Sequence, residues 1–165
     1  LQLLRTSAEL DVALKNGVLE VGIKNIGAGH HLPTGVADFR ELWLEVEVKD
    51  KDGKLIFSSG KLKNDGNIEE GSRLFQKVFG DENSKPVGLL FWKYKTLLSD
   101  TRIQAGERRV EKFTLDKGTK YPIKVSAKLN FRIYPQWVSD AVRKVFPILS
   151  EPNVVELKRV EKELK

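Results

Sequence analysis

The residues best suited to chemistry in this chain stand together in one short segment, NIGAGHHLPTG, from Asn25 to Gly35. It holds the sequence's two histidines, His30 and His31, side by side among three glycines and a proline. Glycine lets a backbone turn sharply and approach another body closely. Pro33 followed by Gly35 stiffens the loop and then reverses it. A neutral imidazole held in a fixed direction by such a loop suits a metal ion or a haem iron. The same residues also permit a plainer arrangement, in which the histidines only hydrogen-bond to nearby carbonyls. A zinc site would need a third ligand such as Asp38 or Glu41, and two adjacent histidines in an extended loop do not easily face one ion.

Other chemistries find no footing. No G-x-S-x-G elbow accompanies the serines, and the G-x-G of GAGH lacks the spacing and helix of a phosphate loop. The sequence has no cysteine, which excludes disulfides, thiol catalysis, thiolate metal sites and covalent haem attachment through C-x-x-C-H within these residues. Glu69 and Glu70 lie in a polar stretch and read as solvated. No catalytic constellation emerges, so a non-enzymatic role is expected. Phe91, Trp92 and Tyr94, beside Leu89, Leu90, Leu97 and Leu98, form an apolar cluster. It either covers the open end of the fold or docks a flat ligand or partner. In the neighbouring segment, Ser99–Glu107, Asp100 is placed to pair with Arg102 or to cap its own turn.

A loop of this kind must be held by a scaffold, and the composition defines its class. At 165 residues, 40% apolar and 32% charged, the chain is a single globular domain with enough length to bury a core. No apolar run approaches the roughly 20 residues of a spanning helix. Lys and Arg outnumber Asp and Glu by 29 to 23, for a net charge of +6. The two signs interleave, as in ELWLEVEVKDKDGK, which reads as solvated strand faces and not as a nucleic-acid stripe. Abundant Lys and Glu without Cys or Met point toward a thermophile. The sequence opens on LQLLRTSAELDVAL without Met or a signal-peptide pattern. Either its N-terminus was processed or it is a piece of something longer.

The dominant period is two. Ala8, Leu10, Val12 and Leu14 alternate with polar residues, as do Leu19, Val21 and Ile23, and Leu42, Leu44, Val46 and Val48. Such alternation marks antiparallel strands with one face buried. Asp52-Gly53 predicts a hairpin joining Glu41–Lys49 to Lys54–Ser59. The run Ile123 to Ile133 predicts a long strand, with partners near Arg109–Leu115 and Val18–Ile26. PQWVSDAVRKVF predicts one helix with Pro135 near its start and Val138, Ala141, Val142 and Val145 on its apolar side. Asn153–Val160 reads as an edge strand. Between Gly60 and Gly106 lies a less regular middle, rich in Gly, Asn and Asp. The expected fold is mainly β: an Ig-like antiparallel β-sandwich with one short C-terminal helix and a long irregular middle segment.

In succession, NIGAGHHLPTG, the stretch Phe39–Gly60, the GDE loop Gly80–Glu82 and FWKYKTLLSDTRI resemble a known family. It is the haem-free β-sandwich domain at the C-terminal end of many multihaem c-type cytochromes, with the signature N-x-G-x-GH-x-[LF]-PTG, R-x-x-W, D-x-x-G-K and D-x-R-I. Arg40 and Trp43 fall on the second motif, Asp50, Gly53 and Lys54 on the third, and Asp100, Arg102 and Ile103 on the fourth. The resemblance covers about residues 5–160. It implies an extracytoplasmic, non-catalytic scaffold of an electron-transfer system, packed against a multihaem cytochrome domain or subunit. A homo-oligomer or filament falls within the same expectation, with no nucleic acid and no membrane span. No haem would be bound covalently by this chain. His30 matches the family histidine and would be the distal axial ligand to haem c iron of a neighbouring domain or subunit, with His31 the lesser candidate for cofactor contact. The family's upstream C-x-x-C-H sites are not within these residues, and Gln104-Ala105 stand where a proline-rich stretch often follows. The alternative, of another class, is a free-standing Ig-like surface or adhesion module binding ligands through its Gly60–Gly106 loops.

Overall fold

The computed structural model describes residues 2–36, 38–148 and 150–165. After one helical turn, α1 (Gln2–Arg5), come β1 (Ala8–Lys15), β2 (Val18–Asn25), β3 (Glu41–Lys49) and β4 (Leu55–Ser59). Two short strands follow, β5 (Leu74–Phe75) and β6 (Lys77–Gly80), and a 3-10 turn at Phe91–Lys93 leads into β7 (Thr96–Asp100). The chain continues with β8 (Arg108–Thr114), β9 (Ile123–Arg132), the helix α2 (Gln136–Arg143) and β10 (Val155–Leu164). All pairings are antiparallel. One sheet has the order β1-β2-β8; the other runs β10-β9-β3-β4, with β5 beside β3. β6 and β7 form a separate two-stranded ribbon. The fold is therefore mainly β and sandwich-like, as the period-two patterning requires.

Alternation places the apolar residues of both sheets in one interior. Leu42, Leu44, Val46 and Val48 of β3 and Ile123, Val125, Ala127 and Leu129 of β9 meet Val12, Leu19, Val21, Ile23 and Phe113 from the other sheet. Each such Leu, Val, Ile or Phe side chain stabilises the fold by about 1.5–3 kcal/mol when fully buried. The hairpin forms as expected: the buried Asp50 accepts the N–H groups of Asp52 and Lys54 with one carboxylate oxygen, each at 2.9 Å. Gly53 takes the positive φ, +79°, that the turn needs. β10 is an edge strand, reaching Leu164 where the sequence pattern ends at Val160.

Two expectations are corrected. β9 pairs with β3 and β10, not with Arg109–Leu115 and Val18–Ile26, which pair with each other in the opposite sheet. Alternation encodes which face a residue presents and carries nothing about which strand lies alongside. The helix is also shorter than its pattern. It ends at Arg143, burying Gln136, Val138 and Ser139, while Ala141 and Val142 are only half-buried and Val145 lies beyond it, exposed.

The second face of β3 is wetted only in part. Trp43 and Glu41 point away from the interior, yet both are buried, with Arg132 and Asn130 of β9 next to them on the same face. Residues 60–73 cover this end of the sheet, and Gln136 of α2 lies against Gly66 of that segment. Trp43 Nε1 donates to the Gly60 carbonyl at 3.0 Å, and Arg132 donates to the Gly66 carbonyl at 2.7 Å while pairing with Glu41. The Arg132 guanidinium lies 5.6 Å from the Trp43 ring centroid, a cation–π arrangement. The middle segment is thus less irregular than its composition indicates.

Candidate functional site

The histidine loop leaves the end of β2 and is tied down along its length. The Ser7 carbonyl accepts the N–H groups of Ile26 and Gly27 at 3.0 and 3.2 Å. A Cβ at position 27 would lie 2.6 Å from the Thr6 carbonyl oxygen, so this approach requires glycine. Asn25 is the clamp. It is buried, and its Nδ2 donates to the carbonyls of His30 at 2.7 Å and Ile103 at 3.2 Å, while its Oδ1 accepts the Ala28 N–H at 3.4 Å. Leu32 and Ile103 then exchange two backbone hydrogen bonds, 2.8 and 2.9 Å, with both side chains in the core.

Ile103 belongs to the turn after β7, so the first and last motifs of the sequence signature are joined. That turn is set by Arg102, whose Nε donates to Asp100 Oδ1 at 2.8 Å and whose Nη2 donates to Oδ2 at 2.6 Å. This bidentate bond holds the Asp100 carboxyl down at about 2. Nothing in the spacing of the two motifs indicates that they touch; only the register of the bridge does.

His30 is exposed, and its Nδ1 lies 3.0 Å from the carbonyl oxygen of His31. A carbonyl oxygen can only accept, so Nδ1 carries the proton and Nε2 of the neutral ring keeps its lone pair. The plain hydrogen bond is therefore formed by one nitrogen, and it fixes the direction in which the other points. His31 is half-buried near Glu107. Burial pushes the Glu107 carboxyl up. The Arg109 guanidinium at 2.7 Å, the Gln104 N–H at 2.7 Å and the nearby His31 outweigh that and leave it below the ordinary range.

Neither suggested third metal ligand joins the histidines. Glu41 is committed to Arg132, and among the described residues no three His, Cys, Asp or Glu side chains gather as a metal site needs. Arg40, like Trp43, acts on the scaffold: its Nη1 donates to the Ile133 carbonyl at 2.6 Å.

His30 lines a cleft of about 290 Å³ whose apolar wall is Leu4, Leu32, Pro33, Leu42, Phe131 and Leu157. Leu4, Phe131 and Leu157 come from distant segments, and no sequence signal connects them to the loop. A larger hollow of about 480 Å³ lies over the charged outer face of β3, β9 and β10. Its Arg159 is paired with Glu156 and Glu161, and neither histidine lines it.

The architecture is a mainly β, sandwich-like fold that a solved structure shares. In structure the chain is similar to a penta-heme cytochrome c552 from Thermochromatium tepidum, with a TM-score of 0.72 and 20% sequence identity over 98% of this chain. The match covers 40% of that cytochrome, so this chain spans less than half its length. No protein-family model matches the sequence, and no curated protein matches it significantly. Among the described residues no helix is long and apolar enough to cross a membrane.

Proposed function

We propose that this chain is a non-catalytic, haem-free accessory domain of an extracytoplasmic multihaem c-type cytochrome system, and that His30 supplies a distal axial ligand to a haem of a neighbouring domain or subunit. The observation that carries the reading is the His30 ring, fixed through Nδ1 with Nε2 uncommitted at the mouth of an apolar cleft. The fold it shares with part of a penta-heme cytochrome supports it.

The residues fit such a group. At about 290 Å³ the cleft is at the bottom of the range of ligand sites, roughly 300–1,000 Å³. It would receive an edge of a macrocycle, not enclose one, as suits a haem held by another body. A bound haem would supply one-electron chemistry. The chain's own work is to hold the imidazole and exclude water. Asn25 and the Leu32–Ile103 bridge fix the loop. The hydrogen bond from Nδ1–H to the His31 carbonyl holds the ring with Nε2 facing outward. The Leu32, Leu42 and Leu157 wall lowers the local dielectric, and both effects tune a haem potential.

The test uses the chain as purified and a ferric haem c peptide with one open axial position. Titration of peptide into protein should shift the Soret band to a six-coordinate low-spin form. The shift should be lost in His30→Ala and kept in His31→Ala. An unchanged titration in His30→Ala would remove the ligation claim. A colourless full-length protein isolated from its source would remove the cytochrome reading as well.

A further inference from the structure

The ribbon of β6 and β7 carries a second feature that the haem reading does not use. Every residue from 90 to 101 is exposed, including Phe91 at 64%, Trp92 at 66% and Leu97 at 50%. A two-stranded ribbon is marginal in water by itself, and large apolar side chains gathered on a surface mark a place where something docks. The aromatic groups are held in fixed relation. Phe91 and Trp92 meet edge to face at 5.3 Å between ring centroids, and Tyr94 meets Phe79 at 4.4 Å.

The charge around this tip selects the occupant. Residues 77–95 contain four lysines (Lys77, Lys85, Lys93 and Lys95) against Asp81 and Glu82, and no arginine. One oxygen of Asp81 is engaged in its own turn, accepting the N–H groups of Asn83 and Lys85 at 2.8 and 2.9 Å. Protein interfaces are enriched in Arg and depleted in Lys. The headgroup layer of a bilayer instead favours Trp and Tyr at its boundary, with Lys stems lying along apolar surface and their ammonium groups among phosphates. Lys93 and Lys95 alternate with Trp92 and Tyr94 in that pattern.

We propose that the tip of the β6–β7 ribbon is a peripheral membrane-docking element. Phe91 and Trp92 enter the headgroup layer of an anionic bilayer, and Lys93 and Lys95 meet its phosphates. The contact is interfacial and spans nothing. It is independent of His30, so either proposal can fail without the other.

Co-sedimentation of the whole chain with vesicles tests it, using phosphatidylcholine alone and an equimolar mixture with phosphatidylglycerol. The protein should partition onto the mixed vesicles, weakening with salt. The double variant Phe91→Ala/Trp92→Ala should lower that partitioning by about tenfold or more. Lys93→Glu/Lys95→Glu should lower it on the mixed vesicles. His30→Ala should bind like the parent chain, and unchanged thermal midpoints establish that the variants are folded. A parent chain that stays in the supernatant overturns the proposal. So does binding that survives loss of both aromatic residues, since net charge alone would then explain it. Sedimentation velocity showing a dimer that depends on Phe91 and Trp92 would overturn it in favour of a second copy as the occupant.

Discussion

Trp43 and Trp92 occupy opposite kinds of ground in this molecule. Trp43 is fully buried; its indole N–H is satisfied by Gly60, and a guanidinium stands near its ring. Trp92 is two-thirds exposed and touches one other ring. The first belongs to a region where strands, the 60–73 segment and α2 close on one another. The second belongs to a ribbon outside both sheets. The difference teaches where to look for function: a group whose interactions are all satisfied inside the fold holds something up, whereas one left unsatisfied faces outward. His30 combines the two states within a single ring, Nδ1 bound inward and Nε2 uncommitted.

Replacing each tryptophan by alanine should separate the regions most widely. Trp43→Ala should cost about 3–5 kcal/mol, from lost burial and a cavity beside a buried ion pair. Trp92→Ala should stay within about 0.5 kcal/mol. Urea midpoints at constant m-value measure both, and equal losses would mean that the ribbon packs as tightly as the covered face.

A second contrast sets two glycines against each other. At Gly60, φ is +84° and a Cβ would lie 2.0 Å from the Leu44 carbonyl oxygen, so Gly60→Ala should cost upward of about 2 kcal/mol. At Gly53, φ is similar at +79° but no atom lies within 4 Å, and Gly53→Ala should cost only about 1 kcal/mol. The same urea series checks the pair, and equal costs would show that φ alone decides.

A third contrast concerns the clamp on the histidine loop. Asn25→Asp keeps the shape but replaces two N–H donations by a carboxylate facing two carbonyls, which should cost about 2 kcal/mol. Amide exchange at Leu32 and Ile103 should accelerate in that variant, while exchange at Val46 and Ala127 should change only with global stability.

How much of this was legible beforehand depended on the kind of information needed. Period-two alternation located most of the long strands and the interior residues, because burial acts on each side chain separately. It could not pair β9 with β3 and β10, since neighbour choice is a property of the whole sheet. Nor could it show that Glu41 and Trp43 sit under a cover, because that cover comes from residues 60–73. His30 stood out by type and by its glycine-rich loop. The clamp that fixes it did not: Asn25 looks like any strand-end asparagine until Ile103, 78 residues away, is brought beside it. The aromatic tip was visible as composition, but its exposure was not.

The smallest effect expected is the pH response of the turn that joins ribbon to loop. The Asp100 carboxyl titrates near 2 in the fold against an ordinary value of 3.8, because of its bidentate bond to Arg102. With the folded value the lower one, the unfolded chain takes up the proton first as pH falls. The stabilisation is therefore complete above about pH 4 and disappears as pH approaches 2. Arg102 keeps its charge throughout, its own value being raised by the same bond. The Asp100 side chain is 27% exposed, so solvent screens the pair and the effect is modest. Asp100→Asn should flatten the acid limb of a stability-against-pH curve between 4 and 2 by less than one proton's slope. Because Ile103 follows directly and bridges to Leu32, amide exchange at Leu32 in the parent chain should rise relative to β3 over the same window. Acid limbs of equal slope in the two proteins would show that the Asp100–Arg102 bond shapes this turn without stabilising the fold.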